Sequence, residues 1–269
     1  MSSATGTGTE RIAAAFAHSG KRAALMPYLM GGFPDLETSA AIGEAYADGG
    51  ADLVELGVPY SDPLADGPVV QAAGTVALRA GTRLDGVLDV GEQLARRLPV
   101  VLMCYANLVF ARGVEAFAAT LAERGLSGLI VPDLPLEEAP DALAACDAAG
   151  VALVPLVAPT TPDERLAAIG ARARGFLYTV SSTGTTGERS GAAFETSQKA
   201  IIARARARTK VPVALGFGIG TPEQAAAAAA AGAEGVIVGS RLVRAAAEAE
   251  DPAAAVREVV GAMAAALAG

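Results

Sequence analysis

Eight short apolar runs recur along this chain, at residues 23–30, 52–57, 99–104, 128–131, 151–156, 176–180, 212–216 and 235–239. None alternates apolar with polar residues as a half-solvated strand must; each reads as a strand buried on both faces, as in parallel sheets. Segments with helical character lie between them, at 36–48, 84–98, 114–124, 136–149, 163–173, 195–208 and 221–231, and two more close the chain near 240–249 and 253–267. Thr161-Pro-Asp-Glu and Thr221-Pro-Glu each offer a capping hydroxyl, a proline for the first helical position and acid in the first turn. Gly49-Gly50, Gly125 and Gly150 stand where left-handed caps end helices. Eight strands alternating with helices predict an α/β fold, a (β/α)8 TIM barrel with extra short helices. A doubly wound open sheet is the alternative, but it usually has fewer strands and often a glycine-rich first turn, absent here.

No linker or charge block divides the chain, so residues 10–269 are expected to form one domain and residues 1–9, rich in Ser, Thr and Gly, a disordered tail. That tail has neither the charged start nor the apolar middle of a signal peptide, and no apolar run approaches the roughly 18 residues of a membrane span. A net charge of −8 disfavours nucleic acid as a partner. Cys104 and Cys146 lack metal or redox spacing and read as buried small residues. The expected compartment is a reducing cytoplasm.

Two strand-to-helix connections are long, 58–83 and 181–194, and in a barrel both fall on the face where active sites are built. Within the first, 69–80 should form an extra short helix; the second, polar and glycine-rich, reads as a lid. Glu55 sits inside an apolar run, where an unpaired carboxylate is costly, and Asp62 and Asp66 follow on a loop stiffened by Pro59, Pro63 and Pro68. At the opposite side, Gly216-Phe-Gly-Ile-Gly220 before a capped helix, and Gly239-Ser240 opening the next, suit a phosphate held by backbone N–H groups and helix dipoles. The ionisable groups at strand ends are Glu55, Tyr105, Asp133 and Tyr178. Lys21 and Lys210 precede their strands, Lys199 lies in a helix, and His18 is the sole histidine, so Schiff-base and zinc aldolase routes are disfavoured. Carboxylate acid–base catalysis remains, with a desolvated Glu55 and a wetter Asp66 dividing the roles. Alternatively, Glu55 merely pairs with an arginine while Asp62 and Asp66 cap turns.

ELGVPYSDPLADGP at 55–68, Met103-Cys-Tyr-Ala-Asn-Leu-Val-Phe110, Val131-Pro-Asp-Leu-Pro135, the 181–191 loop, GFGIG and VGS together resemble the tryptophan synthase α chain family, from about residue 10 to the end. The resemblance implies cleavage of indole-3-glycerol phosphate to indole and glyceraldehyde 3-phosphate. Glu55 matches that family's acid/base, and Asp66 the carboxylate that binds the indole N–H. Tyr178 matches a tyrosine near the substrate, while Gly187, Gly218, Gly239 and Ser240 match phosphate-contacting positions. Thr186 matches the lid threonine that bonds to the Asp66 position, and Asp62 a residue at the interface with a β chain. An α2β2 complex is implied, with pyridoxal phosphate in the β chain and no cofactor in this one. The sequence departs from enteric members at 30–33 (Met-Gly-Gly-Phe), where a threonine and an aspartate elsewhere are replaced, and at Ser182 and Thr183 in the lid. Two other readings stay open: another phosphosugar barrel enzyme, which would need a carboxylate pair on the first and fifth strands, and a non-catalytic activator of a β partner.

Overall fold

The computed structural model describes residues 6–180, 192–216 and 218–269, the side chains of 192–195 excepted. Its strands are β1 (Ala24–Met30), β2 (Val54–Gly57), β3 (Val100–Met103), β4 (Gly128–Ile130), β5 (Ala152–Val154), β6 (Leu156–Val157), β7 (Leu177–Val180), β8 (Val213–Gly216) and β9 (Gly235–Val238). All pair in parallel, in the order β5-β4-β3-β2-β1-β9-β8-β7-β6. The two ends of that order, β5 and β6, both begin in the one apolar run expected at 151–156, and β6 runs one residue past it. Pro155 separates them, because it has no N–H to give to a ladder. Its carbonyl still accepts from Tyr178 N at 3.1 Å, so the sheet curls around and the barrel closes at this proline.

The helices are α1 (Gly8–His18), α2 (Leu36–Asp48), α3 (Pro68–Arg79), α4 (Leu84–Ala95), α5 (Ala106–Arg112), α6 (Val114–Glu123), α7 (Pro140–Ala149), α8 (Asp163–Arg172), α9 (Ala192–Arg206), α10 (Pro222–Ala230), α11 (Ser240–Glu248) and α12 (Pro252–Leu267). The extra helix expected at 69–80 is α3. Residues 7–9, expected to belong to a disordered tail, are instead part of the start of α1. Thr7 caps α1, its hydroxyl accepting from Glu10 N while the Glu10 carboxylate accepts from Thr7 N, and this reciprocal pair orders the chain from residue 7. Residues 1–5 lie outside the described residues. Thr161 does not cap α8; its hydroxyl turns back to accept from Ala158 N, and Pro162 takes the capping position. Thr221 does cap α10, with Gln224 completing the box. The start expected at 136 falls at Pro140, where proline is favoured in a first turn. Helix α5 was not foreseen.

The barrel interior is filled by one side-chain cluster, with Met26, Val101, Ile130, Val154, Ala214 and Ile237 supplied by the strands and Leu53 and Phe176 by the residues just before β2 and β7. Ile12 of α1 enters the same cluster, so the capped helix closes that end of the barrel as a plug. Arg11 fixes the plug by donating to the carbonyls of Gly125, Ala95 and Leu98 at the ends of α6 and α4. With one mouth closed in this way, the strands' C-terminal ends are left to form the site.

Candidate active site

Glu55 is the second residue of β2, with Tyr28 of β1 and Val101 of β3 beside it in register. It is 2% exposed, and its Oε2 has no hydrogen-bond partner. Burial, with the Asp66 charge second, pushes its carboxyl up to about 8. The arginine pairing left open by the sequence is absent: no cation among the described residues holds this acid down. A carboxyl in this state is protonated in a large fraction of molecules near neutrality, so it can give a proton and take one back.

Asp66 sits on the loop between β2 and α3, half-buried. Burial also raises its carboxyl, against the Tyr105 hydroxyl that donates to Oδ1 at 3.3 Å and works in the other direction. The Tyr105 oxygen in turn accepts from Ala65 N at 2.9 Å, and its ring stacks on Tyr60 with centroids 5.1 Å apart. Asp66 therefore has a fixed donor, while Glu55 Oε2 has none; the two carboxyls occupy unlike surroundings, as the sequence suggested. The coupling of Tyr105 to Asp66 spans 39 residues and was not foreseen from the sequence, although Tyr105 stood among the groups at strand ends. Asp133, from the same survey, is otherwise employed: its carboxylate accepts from Ala106 N at the start of α5.

Glu55, Asp66, Tyr178, Gly218, Gly239 and Ser240 line one cleft at the strand C-termini. Its walls include Val70, Met103, Leu156 and Ile237, apolar residues that the sequence reading did not single out. Tyr178 of β7 reaches across to β8, where a Cβ on Gly216 would lie 2.4 Å from its hydroxyl; only glycine leaves room for that ring. Gly218 holds φ +81°, a left-handed conformation that glycine adopts without strain. Gly239 and Ser240 form the N-terminus of α11, where the first N–H groups have no partner within the helix and the positive end of the helix dipole lies. The cleft thus has two carboxyls at one end, an anion-accepting end opposite and apolar walls between. Asp62 is not part of it. It is exposed and accepts from the Ser61 hydroxyl, close along the loop to Leu64, which is 81% exposed. Thr186 and Gly187, with the rest of the lid expected at 181–194 up to residue 191, lie outside the described residues. Met30 and Phe33, in the segment that departs from enteric relatives, are both buried and neither lines the cleft.

Comparison with known proteins decides between the readings that this geometry allows. The sequence matches the family described as tryptophan synthase alpha chain over residues 15–267. The chain belongs to that family. Tryptophan synthase alpha chains of Prochlorococcus marinus (strain MIT 9313) and Thermosynechococcus vestitus are 50% and 45% identical to it, over 85% and 88% of this chain and 83% and 90% of theirs. Among solved structures, a chain of Mycobacterium tuberculosis tryptophan synthase superposes with TM-score 0.89 at 39% identity, covering 96% of this chain and 98% of that one. A chain from the tryptophan synthase α2β2 complex of Pyrococcus furiosus does so with TM-score 0.82 at 33% identity, covering 91% and 97%. These tryptophan synthase chains share the barrel closely enough that the cleft residues can be argued in that family's terms.

Proposed function

We propose that this tryptophan synthase alpha chain is a lyase that cleaves indole-3-glycerol phosphate to indole and D-glyceraldehyde 3-phosphate. The observation that carries the reading is Glu55: buried, without a cation among the described residues, and coupled to a second carboxylate at the same end of an apolar cleft. The flat indole ring lies between the apolar walls, with its N–H on Asp66, and the phosphate lies against Gly218, Gly239 and Ser240. Glu55 gives its proton to indole C3, and the charge that then develops on the ring is stabilised by Asp66. The Glu55 carboxylate takes the proton from the glycerol hydroxyl next to the ring. The carbon–carbon bond breaks as that oxygen becomes an aldehyde, and its electron pair returns to the ring. Glu55 ends protonated, ready for another turnover. No lysine or metal enters this sequence, because protonation at C3 is itself what makes the indole a leaving group.

The chain needs no cofactor of its own on this reading; pyridoxal phosphate belongs to a β chain that receives the indole. Asp62 and the exposed Leu64, on the loop that carries Asp66, are assigned to contact that partner, which joins the chemistry to assembly as α2β2. The test is indole release from indole-3-glycerol phosphate, with and without a β chain. The expected result is release in both cases, faster in the complex. No release under either condition rejects the lyase, and stimulation of the β chain without any such release would leave only an activator.

A further inference from the structure

The cleft contains a phenol that the steps above do not use. Tyr28 stands beside Glu55 in register and is 7% exposed. Its ring starts near the anion end, where its Cβ is 3.8 Å from the place a Gly239 side chain would begin. From there it leans across β2, so that a Cβ on Gly57 would come within 2.1 Å of the Tyr28 oxygen. The hydroxyl therefore lies at the carboxylate end. Of the charges around it, Asp66 acts on it more strongly than Glu55, with the phenols of Tyr105 and Tyr46 weaker still. Tyr178, from β7 across the barrel, also feels Tyr28.

The direction of the hydroxyl's proton is what matters. Tyr28 donates to Met30 Sδ at 4.0 Å, inside the segment that departs from enteric relatives. A thioether is a weak acceptor, but it can only accept. With the proton turned towards sulfur, the phenol oxygen is left with lone pairs at a cleft wall beside Asp66. Two acceptors thus face the same end, and a ligand group with a hydrogen to donate is what they match. On the reading proposed above, that group is the ring N–H.

We propose that the Tyr28 oxygen is a second acceptor for the N–H of the bound ring, sharing it with Asp66, and that Met30 orients Tyr28 for this role. Tyr28 is then a specificity-determining residue for a nitrogen heterocycle over a carbocycle or an oxygen heterocycle of the same shape.

The test uses Tyr28→Phe, which keeps the ring and removes only the oxygen. Three ligands are titrated calorimetrically into the wild-type and variant chains: indole-3-propanol phosphate, its benzofuran counterpart with ring oxygen in place of N–H, and glycerol 3-phosphate. The expected result is an affinity loss of about three- to tenfold for the indole compound, the scale of one hydrogen bond. The benzofuran compound and glycerol 3-phosphate should lose nothing. Unchanged binding of the indole compound overturns the assignment, as does an equal loss for both ring compounds. A lower melting temperature with a uniform loss across all three ligands would make Tyr28 a packing residue and also overturn it. Failure of the wild type to bind either ring compound would instead remove the lyase reading, and this proposal with it.

Discussion

Replacing Glu55 with glutamine should make the protein more stable, and by an amount that depends on pH. The glutamine keeps the size of the buried group and removes the charge. In the folded chain the Glu55 carboxyl is pushed from its ordinary 4.5 to about 8, burial being the larger cause and Asp66 the smaller. A group whose folded pKa is raised contributes stability that is fully present below its unfolded pKa and is lost as pH rises through the folded one. Wild-type stability should therefore decline between about pH 4.5 and 8 from this group, and level out above. The difference between the two pKa values corresponds to about 5 kcal/mol once both states are ionised. For a chain of this size each kcal/mol moves the melting temperature by about 2–4 °C. The assay is thermal unfolding of both proteins at pH 5, 7 and 8.5. The gap in favour of Glu55→Gln should be small at pH 5 and grow to roughly 10–20 °C at pH 8.5. A gap that stays constant with pH, or a variant less stable at pH 8.5, would refute the reasoning that Glu55 is held buried without a compensating partner.

Other consequences follow from the same geometry. Tyr105→Phe removes the side-chain donor seen on Asp66; the acid limb of the kcat/KM profile for indole-3-glycerol phosphate should move to higher pH, with a loss of about three- to tenfold at pH 7. Gly218→Val forces a branched side chain into φ +81° at the anion end; the strain is about 1–2 kcal/mol, and KM should rise more than kcat falls. Thr221→Ala removes the hydroxyl of the α10 capping box; the cost of about 1 kcal/mol should lower the melting temperature by a few degrees and leave the pH profile unchanged. Dialysis against a chelator should leave indole release unaltered, since the proposed proton transfers use only carboxyls; activity lost on dialysis and restored by a divalent ion would contradict the scheme.

The fold was legible because burial on both faces writes itself as uninterrupted apolar runs, and seven of the eight expected runs each contain one strand of the barrel. The remaining one, 151–156, shows the limit: periodicity marks it as buried, while the missing N–H of Pro155 decides that it becomes two ladders. A cap is legible where the side chain has one use, as at Thr221, and not at Thr161, whose hydroxyl serves a tighter turn instead. Helix α5 is short and follows the third strand directly, so its spacing was submerged in a segment valued for its motif. In the site, Glu55 announced itself by chemistry, an acid in an apolar run. The links that place its neighbours did not. Tyr105 to Asp66 and Tyr28 to Met30 depend on which strands stand side by side and on side-chain direction, and neither is a local property of the chain.

Glu55 is assigned as the group that moves the proton. The most direct measurement pairs single-turnover indole release by Glu55→Gln with its affinity for indole-3-glycerol phosphate, on one preparation at pH 7. General acid–base catalysis by one group is worth about 100- to 10,000-fold. The expected result is release slowed by at least that lower figure while the substrate still binds as it does to the wild type. Release within about tenfold of the wild type, a smaller loss than that range allows, would contradict the assignment of Glu55 and the mechanism built on it.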